Sequence, residues 1–168
     1  MGTRFSIVHE FDCDAATYWE IFWDETFNVE QYQKLGCGRT LLAKEDKGDT
    51  LLRNQEIRPE RELPSVLRKF MSGTLKYVEY GVFKKPSGPL EVTIKVPALG
   101  ERFQMRSLYT VTDVGPGRCR REFVGECTVK VPLVGGAAEK AILSNMRETY
   151  DNAAKVHREW IAKKAPRV

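Results

Sequence analysis

The stretch from Gly135 to Lys164, GGAAEKAILSNMRETYDNAAKVHREWIAKK, has no proline and no glycine beyond its start. Placed at about 100° per residue, as an α-helix requires, Ala138, Ile142, Met146, Thr149, Ala153, Val156 and Trp160 form one stripe. Tyr150 and His157 sit on its edge, and Lys140, Arg147, Asp151, Lys155 and Arg158 lie opposite. At ~1.5 Å per residue such a helix runs roughly 40 Å, so its apolar stripe must be buried against something equally wide. Asp151 with Lys155 and Glu159 with Lys163 are acid-first pairs four apart, and Lys163 and Lys164 suit the negative end of the helix dipole. The middle of the stripe is unusual. Thr149 and Ala153 are small where a helix crossing a core usually carries Leu or Phe. Either a bulky partner fills that space or the space holds something else.

The rest of the chain offers the wide partner. Thr3 to Phe11 alternates, with Phe5, Ile7, His9 and Phe11 on one face, which predicts a half-buried strand. Asp14 is the expected N-cap of two short helices in DAATYWEIFWDETFNVEQYQKLG, broken around Asp24 to Thr26 and ended by Gly36. Strands then follow in pairs. Gly38–Lys47 and Thr50–Arg58 flank Asp46-Lys47-Gly48-Asp49; Thr74–Lys84 and Leu90–Val96 flank KKPSGP; Arg102–Val114 and Arg118–Val131 flank Gly115-Pro116-Gly117. Pro59–Gly73 breaks this rhythm. Leu63, Val66, Leu67 and Phe70 sit at helical spacing, which predicts a short amphipathic helix, either a plug at one end of the sheet or a mobile lid. Short turns between sequential strands imply antiparallel pairing. The expected fold class is α+β: one domain over residues 1–168, in which a seven-stranded, strongly curved antiparallel sheet grips the C-terminal helix.

Composition excludes several functions. Net charge is +4 from 27 basic and 23 acidic residues, too little for a nucleic-acid footprint. No run of about 18 apolar residues is present, so no membrane-spanning segment is expected. The N-terminus alternates instead of running apolar as a secretory signal would, and the cytoplasm is the default location. Cys13, Cys37, Cys119 and Cys127 form no CxxC and no zinc-ligand spacing, so reduced thiols and no metal or other cofactor are expected. No glycine-rich phosphate loop, GxSxG or HExxH occurs. His9 and His157 form an acid–base pair only if both face a common cavity. Glu79 interrupts an otherwise apolar and aromatic face in LKYVEYGVF, and Glu122 and Arg106 lie on strands whose facing is open; each is either a buried polar anchor for a ligand hydroxyl or, as expected, faces solvent or pairs across strands. No catalytic residue is assigned.

The N-terminal strand running into DAATYWEIFWD, the block ELPSVLRKFMSGTLKYVEYGVF, and VKVPLVGGAAEKAI leading into the last helix together resemble the START-like, or helix-grip, superfamily, which includes Bet v 1-type proteins and polyketide cyclases. Within it the chain is most similar to a bacterial family of unknown function. The resemblance implies a deep apolar cavity between sheet and last helix, binding a lipid such as a sterol or phospholipid for transport or sensing. Its implied walls are Ile142, Met146, Thr149, Tyr150 and Ala153 from the helix, and Ile94, Tyr109, Phe123, Cys127 and His9 from the sheet. It also implies that Pro59–Gly73 and Pro97–Glu101 cover the mouth. The apolar tips Leu67, Phe70, Met71 and Leu99 beside basic residues would then suit transient docking on an anionic membrane. The chain is expected to act as a monomer, as a carrier and not an enzyme. The alternative is a cyclase or aromatase on the same fold.

Overall fold

A computed structural model describes residues 2–164. The sheet has seven strands: β1 (Thr3–Phe11), β2 (Cys37–Asp46), β3 (Thr50–Pro59), β4 (Tyr77–Lys84), β5 (Leu90–Lys95), β6 (Phe103–Gly115) and β7 (Arg118–Val129). Their spatial order is β1-β7-β6-β5-β4-β3-β2, every neighbouring pair antiparallel. The first strand pairs with the last, so the two short helices span the connection from β1 at one edge to β2 at the other. These are α1 (Ala15–Trp23) and α2 (Glu25–Lys34). Asp14 caps α1 by accepting from the Thr17 amide at 2.8 Å, and Asp24 caps α2 by accepting from Phe27 at 3.1 Å. Each cap satisfies an amide that the first helical turn leaves open.

Strong coiling of the sheet needs close backbone approach, and Gly125 permits it. A Cβ there would lie 2.3 Å from the Arg106 carbonyl oxygen on β6, a clash that only glycine avoids. The concave face then receives α3 (Gly135–Lys164), whose buried side includes Ala138, Ile142, Leu143, Ala153, Val156 and Ile161. α1 and α2 pack at one end, where Tyr18, Trp19 and Phe27 are buried against Phe11, Phe83 and His157.

Pro59–Gly73 corrects the sequence reading. Only Ser65–Leu67 is helical, as a single 3₁₀ turn, and Glu62 bridges to Thr74. The segment is bounded by Pro64 and Gly73 and is too short to offset the cost of nucleating a helix. Its apolar residues are held by the core instead: Leu67 is wholly buried. β4 accordingly begins at Tyr77 and not at Thr74. No described helix is long and apolar enough to cross a membrane.

Candidate functional site

Two adjoining chambers with shared lining residues lie between the concave face and α3. The outer one, about 130 Å³, is lined by Leu35, Cys37, Leu75, Tyr77, Ile94, Val96, Phe103 and Met105 below and by Ile142, Met146, Thr149 and Tyr150 above. The inner one, about 70 Å³, is lined by Phe22, Trp23, Tyr32, Arg53, Tyr109 and Arg121 together with Ala153. Tyr77, Glu79, Thr149 and Tyr150 border both. The small residues of the helix stripe are what leave this room. Thr149 turns its hydroxyl back to the Asn145 carbonyl at 2.9 Å, presenting its methyl to the hollow, and Ala153 projects only a Cβ.

At the mouth, Glu60, Arg61 and Glu62 stand opposite Asn145. Arg61 donates to Asn145 Oδ1 at 3.1 Å and to Glu148 Oε2 at 3.3 Å. This strap joins the β3–β4 connection to α3. Exposed ion pairs of this kind contribute about 0–1 kcal/mol, so the strap closes the hollow without locking it.

Of the two placements the sequence allows for Glu79, the structure takes the inward one. It is not on the solvent face. Tyr77, Glu79, Gly81 and Phe83 form the inward row of β4, and Glu79 is half-buried between the two chambers. Gln55, its register partner on β3, donates from Nε2 to Glu79 Oε2 at 2.7 Å and to Tyr32 Oη at 3.0 Å. The amide orientation is fixed because Gln55 Oε1 accepts from Arg39 Nε at 2.7 Å. Burial raises the Glu79 pKa above the usual carboxylate range, opposed by the Gln55 hydrogen bond and by Arg53 and Arg39. A carboxyl so placed is suited to hold or exchange a proton.

Two arginines also face the hollow. Arg121, only 2% exposed, donates from Nη1 to the Tyr18 and Tyr109 hydroxyls and from Nη2 to His9 Nδ1 at 2.8 Å and the Tyr150 carbonyl. Arg53, 7% exposed, lies over the Trp23 and Phe22 rings at 4.7 and 5.0 Å and reaches Asn28 Oδ1 at 3.4 Å. Both were legible only as parity. Arg53 shares its row with Gln55 and Ile57, and Arg121 shares its row with Cys119 and Phe123.

The expected wall residues divide. Ile94, Ile142, Met146, Thr149, Tyr150, Ala153 and Tyr109 come together around the chambers. Phe123 stacks behind Tyr150 at 4.7 Å, and Cys127 is fully buried toward Glu139, its thiol pushed up to about 12 by burial. His9 stands behind Arg121. Its Nδ1 accepts from the guanidinium, so Nε2 carries the proton and donates to Asp151 Oδ1 at 2.7 Å. Burial and Arg121 lower its pKa. His157 is stacked on Tyr18 at 3.9 Å, away from His9's bonds. The two histidines therefore form no acid–base pair in the hollow.

Of the four expected lid or membrane tips, two are buried. Leu67 and Leu99 are buried, and Phe70 and Met71 are half-buried against the core. Leu67 and Leu99 therefore present no apolar tip outward. All four cysteines are free, and among the described residues no group of three His, Cys, Asp or Glu is arranged to hold a metal.

Comparison with known proteins agrees with this architecture. The sequence matches the family described as "Protein of unknown function (DUF2505)" over residues 6–161. No curated protein matches it. The fold is similar to the Zhui aromatase/cyclase from Streptomyces sp. R1128, with a TM-score of 0.66 at 6% identity over 98% of this chain and 96% of that one. It is similar to norcoclaurine synthase from Thalictrum flavum in complex with dopamine and hydroxybenzaldehyde, with a TM-score of 0.61 at 13% identity over 99% and 90%. A START superfamily protein from Mycobacterium smegmatis gives 0.55 at 16% identity over 96% and 99%. At these identities the likeness is one of fold: the helix-grip architecture houses both ligand binders and cyclases.

Proposed function

The chain belongs to the DUF2505 family, and from that premise and the geometry of the hollow we propose that it binds a compact apolar small molecule, one or two rings in size, whose polar end reaches the inner chamber. The observation that carries this reading is the pair of adjoining chambers, about 130 and about 70 Å³, kept open by Thr149 and Ala153. Pockets for drug-sized ligands run to ~300–1,000 Å³, whereas an apolar cavity of ~150 Å³ takes up benzene. A sterol or phospholipid is therefore too large for the hollow in its closed form, and the lipid reading narrows to a smaller guest. The norcoclaurine synthase structure holds small aromatic molecules of this size.

Ala153→Trp fills the inner chamber and is expected to abolish binding of a naphthalene or phenyl probe, followed by thermal shift and native mass spectrometry. Unchanged binding in a folded Ala153→Trp protein refutes the reading. A second reading, a cyclase-type enzyme, is favoured by one observation: Glu79 is an ionisable group inside the hollow, bordering both chambers. It requires that Glu79→Gln abolish turnover of a substrate that still binds.

A further inference from the structure

The inner chamber is unbalanced in both charge and hydrogen bonding, and this indicates the chemistry of the ligand's polar end. Arg53 and Arg121 are each more than nine-tenths buried. Among the described residues neither lies within salt-bridge distance of a carboxylate, whereas Arg39, beside them, is matched by Glu25. Glu79 is the one carboxyl bordering the chamber. Even when it is ionised, two guanidiniums face one carboxylate and a positive charge is left over.

Donors are in excess as well. Arg121 Nε and Trp23 Nε1 are buried N–H groups with no partner, and both residues line the chamber. Buried donors without acceptors are rare because each forfeits the hydrogen bonds it made in water. Several of the acceptors nearby are already committed. Glu79 Oε2 takes the Gln55 amide, and the Tyr18 and Tyr109 hydroxyls take Arg121 Nη1. With two guanidiniums against one carboxyl, the chamber is short of one negatively charged acceptor.

Deepening the binding reading above, on which it rests, we infer that the inner chamber is a receptor for a carboxylate, and that the ligand is a compact aromatic or aliphatic carboxylic acid whose apolar part occupies the outer chamber. The division of space agrees. About 70 Å³ suits a carboxylate with its first carbons, and about 130 Å³ beyond it suits a ring. A planar guanidinium matches the two oxygens of a carboxylate, and the Trp23 N–H adds a third donor.

The test compares three molecules of one shape, 3-phenylpropionate, 3-phenylpropanol and 3-phenylpropylamine, by calorimetry on the full chain. The acid is expected to bind about ten- to a hundredfold tighter than the alcohol, the range for hydrogen bonds to a charged group. Arg53→Met and Trp23→Phe should each cut the acid-to-alcohol ratio several-fold, and Arg121→Met should do the same if it folds; the first two carry the test if it does not. Equal binding of acid and alcohol overturns the carboxylate receptor while leaving the hollow a binding site. Tighter binding of the amine overturns it in favour of Glu79 as the anchoring charge. Failure of all three to bind removes both this inference and the binding reading beneath it.

Discussion

His157 should make the protein acid-labile by a calculable amount. Its ring is 1% exposed, stacked on Tyr18 at 3.9 Å and 2°, with Phe27 at 4.9 Å and Phe11 at 5.3 Å. Its Nε2 has no partner. Burial in this aromatic box, and secondarily the nearby Arg121 charge, pull its pKa from 6.5 down to about 3. The unfolded chain therefore binds a proton on this ring below about pH 6.5 while the native state does not. Stability held above that pH is lost as pH falls toward 3. At about pH 5 the unfolded ring lies about 1.5 pH units below its own pKa, and the native ring remains neutral. At ~1.36 kcal/mol per unit, the loss relative to about pH 7.5 is about 2 kcal/mol. His157→Phe keeps a flat ring against Tyr18 and removes the titration. Urea unfolding of both proteins at the two pH values isolates the effect, since any change common to both pH values cancels. The variant should lose about 2 kcal/mol less than the parent on acidification. Equal losses in the two proteins would refute the claim that His157 is held neutral by its surroundings.

Two further outcomes follow from the hollow. Burial raises the Glu79 pKa, so its contribution to stability is present below the ordinary Glu value of 4.5 and is lost as pH rises through the folded-state value; Glu79→Gln should therefore gain stability relative to the parent as pH rises above that ordinary value in the same unfolding assay, and a parallel pH profile would contradict a buried carboxyl. Arg61→Ala removes the strap to Asn145 and Glu148, so stopped-flow mixing with a naphthalene probe should show entry and exit both faster by about two- to fivefold with Kd nearly unchanged; identical rates would mean that the ligand enters elsewhere.

Much of the architecture could be read from the chain. Alternation in Thr3–Phe11 and turn residues between strand pairs are local signals, and the one-sided stripe of Gly135–Lys164 requires a broad apolar partner whatever the details. The Pro59–Gly73 segment was misread because helical spacing of Leu63, Val66, Leu67 and Phe70 arises equally when separate side chains are pinned to a core. Arg53 and Arg121 were passed over, and Glu79 was expected outward, because a charged residue in an alternating row is normally an outward one.

The sequence by itself determined the elements, their order and the small residues at Thr149 and Ala153, because these depend on periodicity and on steric rules that act over a few residues. Only the tertiary structure decided that the space beside those residues stays open, that it divides into two chambers, and that Arg53, Glu79 and Arg121 border the inner one. Curvature sets these outcomes. How far a sheet bends before it meets its helix depends on contacts between residues distant in sequence, such as Gly125 against Arg106, and no local pattern encodes that distance.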